Sequence, residues 1–178
     1  MRKFILTLTL ALAAVIGAGA ADKAGSFQVG EFTFHTPAGW ESLKDISPMR
    51  KAQLKVPGEG KASGEVVFFH FGAGGGGGTQ ANIDRWLGQF QEPKEKLNAK
   101  TEQVKANGRQ ITYVQAEGTY QSGMPGGPKT PQPGTMLLGA ILESEEGNVF
   151  VRFTAPVGLA KSSQAAFRKM IEGAPAAK

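Results

Sequence analysis

Six of the seven residues at 72–78 are glycine, and the run touches two phosphate-binding patterns at once. Gly72-Ala73-Gly74-Gly75-Gly76-Gly77 satisfies GxGxxG. Gly72 through Thr79 fits the P-loop spacing GxxxxGK(S/T), except that Gly78 stands where the lysine belongs. That lysine is the main charge contact to the β- and γ-phosphates, so its loss removes the strongest part of such a cradle. A dinucleotide site also needs a parallel βαβ unit, whereas an antiparallel hairpin signal follows here. A run of one residue type matches many patterns by composition alone. The expectation is a flexible connection with no nucleotide or other cofactor.

Other chemistries lack their parts. His35 and His70 are the two histidines. His35 takes the parity opposite Phe32 and Phe34 and should point outward, while His70 shares parity with Val66 and Phe68 and should sit at the covered end of a strand. A two-histidine metal site needs a carboxylate too, and Glu31 or Glu65 would reach it only by luck of register. No serine lies in a GxSxG elbow or in a motif tying it to a histidine. Glu145-Glu146 reads as a solvated turn, not as a buried acid pair. The expectation is therefore no enzyme, no catalytic residue and no metal. Arg85 and Gln89 lie four apart beside an apolar stripe, placed either to anchor loops through backbone carbonyls or to read a partner.

The chain has 178 residues. Arg2 and Lys3, an uncharged apolar run from Phe4 to Ile16, and small residues with Ala18-x-Ala20 as the cleavage context read as an export signal over residues 1–20. Thirteen apolar residues at 1.5 Å each are too few for a roughly 30 Å hydrocarbon core. No membrane insertion is expected after cleavage, and the mature chain should be periplasmic or secreted. Without Arg2 and Lys3 the basic residues number 18 against 15 acidic ones, a net charge of +3. That balance gives no electrostatic case for nucleic acid. The absence of cysteine excludes disulfides, thiolate metal sites, cysteine nucleophiles and an N-terminal lipid on cysteine.

After a short tail at 21–26, one domain is expected over 27–172, with a frayed tail at 173–178. Phe27 and Val29, then Phe32 and Phe34, are short alternating runs. Ala52, Leu54 and Val56 alternate with Lys51, Gln53 and Lys55 in a half-exposed strand. Val66 to Phe71 and Thr135 to Leu142 are apolar on both parities, as in strands covered on both faces. Ile83, Trp86, Leu87 and Phe90 recur at helical spacing, with Thr79 as N-cap and Pro93 as the stop. Asn107-Gly108 demands a type I′ hairpin. Leu159, Ala166, Phe167, Met170 and Ile171 mark a closing helix behind Pro156. Strands, a helix, a meander and a helix give an α+β class: an antiparallel sheet between helices, an α/β/α sandwich.

The stretch 121–134 holds four prolines and four glycines and reads as a long irregular loop. Such loops are uncommon in compact domains and are often functional. Tyr120, Met124 and Lys129 would offer aromatic, soft apolar and cationic contacts, with Arg85 a further candidate and the 72–78 run a second loop of the same surface.

This organisation resembles the PsbP-like fold. The likeness rests on Thr36-Pro37-Ala38-Gly39-Trp40 ending the first sheet strand, and on the helix Asn82-Ile83-Asp84-Arg85-Trp86-Leu87-Gly88-Gln89-Phe90 after a central strand. The meander and the closing helix behind Ala155-Pro156 continue it to about residue 172. That fold is shared by the extrinsic PsbP subunit of photosystem II, a Ran-binding nuclear import factor and the bacterial envelope protein DcrB. The resemblance implies a non-catalytic binding or assembly module and names no partner; the expectation for this chain is an exported monomer that acts on an envelope protein. The alternatives are a small-molecule or metal-binding module built on the 72–78 run and His70, or an uncharacterised hydrolase. No functional residue of those proteins matches a position in this chain.

Overall fold

The computed structural model describes residues 25–123 and 127–176. The export signal and Met124 lie outside the described residues. Seven strands form one antiparallel sheet: β3 (Glu41–Ser42), β4 (Ala52–Pro57), β5 (Ser63–His70), β9 (Val149–Pro156), β8 (Thr130–Leu142), β7 (Arg109–Ser122) and β6 (Lys100–Ala106), in that spatial order. A separate hairpin of β1 (Ser26–Val29) and β2 (Phe32–His35) packs with helix α2 (Val157–Glu172) on one face. Helix α1 (Thr79–Leu87) and a 3-10 turn at Lys94–Lys96 belong to the other. The class is α+β with cover on both sides, as the doubly apolar strands require.

Parity divides the core. On the α2 side, Phe32 and Phe34 of the hairpin meet Leu54, Val66, Phe68, Val151 and Phe153. The rings of Phe34 and Phe68 are 4.9 Å apart, and Trp40 folds back to within 5.7 Å of Phe153. On the α1 side, Ile83, Trp86, Leu87 and Phe90 pack over Val114, Ala116, Leu137 and Ile141. Asn107 and Gly108 both take positive φ (52° and 77°) between β6 and β7, as a type I′ turn demands.

Four expectations are corrected. Half of the stretch 121–134, residues 121–122 and 130–134, is strand, because β7 and β8 run on past the end of β9 as a two-stranded arm. Pro131 and Pro133 are tolerated there, since β9 pairs with β8 only from Thr135 onward and asks no N–H of them. Helix α1 stops at Leu87 instead of running to Pro93. The Gly88 N–H closes it on the Asp84 carbonyl, and residues 89–91 turn to pair with the arm. Thr79 is inside the helix and does not cap it; Gly78 is the N-cap residue, and the Thr79 hydroxyl meets Glu143 at 3.4 Å. The tail is pinned as far as Ala176: Ala174 is buried, Thr33 donates to the Pro175 carbonyl, and Ala176 bridges Phe32.

Glu31, at the tip of the β1–β2 hairpin, ties that layer to the sheet through Arg109 and Ser144. The Arg109 hydrogen bond first, then the Ser144 one, hold its carboxyl below the ordinary value of 4.5. A lowered folded-state pKa contributes stability that is fully present above the unfolded value and lost as pH falls through the folded one. Thermal melts of the natural chain and Glu31→Gln should therefore differ at neutral pH and converge as the pH drops below 4.5.

Candidate functional site

Helix α1 lies over β7 and β8, and among the described residues no helix covers the β4–β5 half of that side of the sheet. The register puts Gln53 of β4, Glu65 and Val67 of β5, and Arg152 and Thr154 of β9 on that open half. Val67 is fully buried beneath these longer polar side chains. The surface is thus a polar shelf on an apolar floor, bounded by Gln89 after α1 and by the root of the arm.

Two linked groups make up the shelf. Arg50 Nη1 donates to Gln53 Oε1 at 2.7 Å and to Glu65 Oε1 at 2.8 Å, and Gln53 Nε2 donates to the same Glu65 oxygen at 2.6 Å. Arg152 Nη1 donates to Gln89 Oε1 at 3.0 Å, an oxygen that also accepts the Tyr120 hydroxyl at 2.8 Å. The Arg152 guanidinium carbon is 5.9 Å from the ring centres of both Phe69 and Tyr120. Burial raises the Tyr120 phenol above its ordinary value, with Arg152 and Arg50 opposing the shift and Glu65 adding to it. All three charges therefore act at one place. Phe69 stacks on Phe71, which is 46% exposed, so an aromatic edge adjoins the charges.

Of the candidates from sequence, Tyr120 is buried with its ring against Phe90 and its hydroxyl on Gln89, so it supports the shelf from beneath. Lys129 is exposed in the connection at the arm's end, and Arg85 is exposed on α1. Arg85 Nη1 donates to Asn82 Oδ1 at 2.8 Å, while Asn82 Nδ2 reaches the carbonyls of Gly76 (2.9 Å) and Gly78 (3.0 Å). Arg85 thus anchors the glycine loop, through Asn82. Carbonyls, not amides, converge within that loop, the opposite of a phosphate cradle. The arm leaves the sheet beyond Thr135 and Pro156, whereas the glycine loop follows His70 at the other end, so the two loops are not neighbours. His35 is exposed, and His70 Nε2 lies 3.2 Å from the Glu146 carbonyl. Among the described residues no three His, Asp or Glu side chains gather as a metal would need.

A second concavity of about 220 Å³ lies between α2 and β6–β7, lined by Lys100, Glu102, Tyr113, Gln164 and Arg168. Its charges satisfy one another: Arg168 bonds Glu102 and Glu172 and stacks 4.2 Å over Tyr113. Burial, then Glu172, pushes the Tyr113 phenol up. This is packing between helix and sheet edge. Sequence reasoning singled out Gln89 but missed Arg50, Gln53, Glu65 and Arg152, whose only signal was a charge inside the strand Val149–Pro156.

No protein-family model and no curated protein matches the chain. Among solved structures, cyanobacterial PsbP (CyanoP) from Synechocystis is similar over 93% of this chain and 98% of its own, with a TM-score of 0.54 at 11% identity. The fold is PsbP-like. A protein of unknown function from Pseudomonas aeruginosa is also similar, over 83% of this chain and 93% of that one (TM-score 0.46, 13% identity). So is a Bacteroides thetaiotaomicron protein, over 88% of this chain and 49% of that one (TM-score 0.48, 17% identity). Identities this low speak for the PsbP-like fold alone.

Proposed function

We propose that this chain is an exported, monomeric, non-catalytic binding module that docks on a protein of the cell envelope. The observation that carries the reading is the open half of the sheet, where a hydrogen-bonded shelf of charged side chains stands beside a projecting arm. Surfaces built from positioned polar groups over a buried floor are what recognition needs. The PsbP-like fold supports the reading only by analogy. Arg2, Lys3 and the apolar run that follows support export. Among the described residues no helix is long and apolar enough to cross a membrane.

The arm, with Met124 and Lys129, is the second half of the proposed surface. A photo-crosslinker at Gln132 in living cells should capture one envelope protein, and the same group at Lys169 on α2 should not. N-terminal sequencing of the mature chain should begin near Ala21. Equal capture from both positions, or a chain retained in the cytoplasm, would overturn the reading.

The arm's far end should be dispensable for folding. Replacing residues 123–129 by Asn-Gly keeps the Ser122–Thr130 pair and should change stability by less than about 1 kcal/mol, since closure entropy varies slowly with length. Urea unfolding of that variant checks this.

A further inference from the structure

Each of three arginines in the described residues has a carboxylate partner: Arg50 has Glu65, Arg109 has Glu31, and Arg168 has Glu102 and Glu172. Arg152 has none within ion-pair distance among the described residues, although it is half-buried in the middle of the sheet. Its position is fixed by register between Val67 and Gly139. Trp86 fills the space above Gly139 on the α1 side, and the guanidinium lies near Phe69 of β5, on the open half. Nη1 is held by Gln89, and Nε is buried with no hydrogen-bond partner. A half-buried guanidinium with no carboxylate in ion-pair range stands to gain from an anion supplied by a partner.

The surroundings decide which anion. A guanidinium fork matches the two oxygens of a carboxylate; the Gln89 side chain holds the Arg152 guanidinium, and Gln53 belongs to the separate Arg50–Glu65 group on the same face. Glu65, on that face, would repel a dianion more strongly than a single carboxylate. Half-exposed Phe69 and exposed Phe71 supply an apolar strip beside the charge. Phosphate groups are disfavoured by Glu65 and gain nothing from that strip.

We propose that Arg152 receives an Asp or Glu carboxylate from an extended segment of the partner protein, with an apolar residue of that segment lying on Phe69 and Phe71. This rests on the binding reading above and names its chemistry. Glu65 is then the internal competitor: it occupies Arg50, and its removal frees a second guanidinium.

The test is an NMR titration of the ¹⁵N-labelled mature chain with blocked hexaglutamate, following the Arg152 Nε–H signal and the Gln53 and Gln89 side-chain amides. The expected result is a saturable shift confined to these signals. Arg152→Met should weaken binding at least tenfold, and Glu65→Gln should strengthen it severalfold. Arg152→Lys keeps the charge but not the fork and should also weaken it, which covers the case that Arg152→Met fails to fold. No saturation, or affinity in both Arg152 variants unchanged from the natural chain, would overturn the proposal. So would saturation by inorganic phosphate at lower concentration than the peptide. Partner capture from Gln132 alongside a silent shelf would sink this inference and leave the binding role standing. Failure of both would remove the two together.

Discussion

Gly139→Val should cost about 4 kcal/mol or more, a large share of the stability of a domain of this size. A Cβ at Gly139 would lie 2.3 Å from Trp86 Cζ3 and 2.6 Å from Val114 Cγ1. Neither neighbour can give: Trp86 is 4% exposed and Val114 2%, and Gly139 sits between β7 and β9. Overpacking typically costs 1–3 kcal/mol per site, and valine adds two methyls beyond the first clash. If Trp86 leaves its seat, the loss approaches the 3–5 kcal/mol of a deleted core aromatic. Domains of this size hold about 5–15 kcal/mol in total. Combining Gly139→Val with Trp86→Ala should cost less than the sum of the two, because removing the indole relieves the clash with the new side chain. Urea unfolding of the three variants measures this. A loss under 1 kcal/mol would mean that α1 is not seated on β8, and the wall of the shelf that carries Gln89 would go with it.

Phe153→Ala should destabilise the chain by about 3–5 kcal/mol, the range for a fully buried aromatic. Phe153 is wholly inaccessible, with its ring 5.7 Å from both Trp40 and Phe167. One side chain therefore joins the loop before β3, the centre of the sheet and helix α2. Gly64 of β5 is part of the same fit, since a Cβ there would lie 2.6 Å from the Phe153 ring. Phe153 also neighbours Arg152 but faces the opposite side of the sheet. The variant should lose stability while any protein that remains folded keeps its shelf chemistry. Calorimetry together with the Arg152 Nε–H signal separates the two effects.

The fold was legible where periodicity was strong. Ile83, Trp86, Leu87 and Phe90 are all buried as their spacing requires, and Leu54 and Val56 are buried against the half-exposed Gln53. Asn107-Gly108 forms the turn that its dipeptide demands. The arm was not legible, because four prolines argue locally against a strand. The physical exemption, an edge with no neighbour to serve, depends on where β9 ends. Helix α1 was read too long for a similar reason: Phe90 keeps the helical apolar spacing yet is buried by pairing with Tyr120. The 173–178 tail, made of small residues at a chain end, was expected to fray, and the pinning of residues 174–176 depends on Phe32 and Thr33, far off in sequence. The shelf was hidden most deeply. Arg50 with Gln53, Glu65 and Arg152 come from three separate segments, and only the order β4-β5-β9 brings them together. Gln89 was visible as a helix-face polar residue, but its partners were not.

The most direct measurement places a photo-crosslinker at Gln53, on the shelf, in cells carrying the natural chain or Arg152→Met. The expected result is capture of one envelope protein by the natural chain, with yield falling at least tenfold in the variant while the variant remains folded by its melting transition. Capture that is indifferent to Arg152, or no stronger than from Lys169 on α2, would contradict a binding module that works through the open half of its sheet.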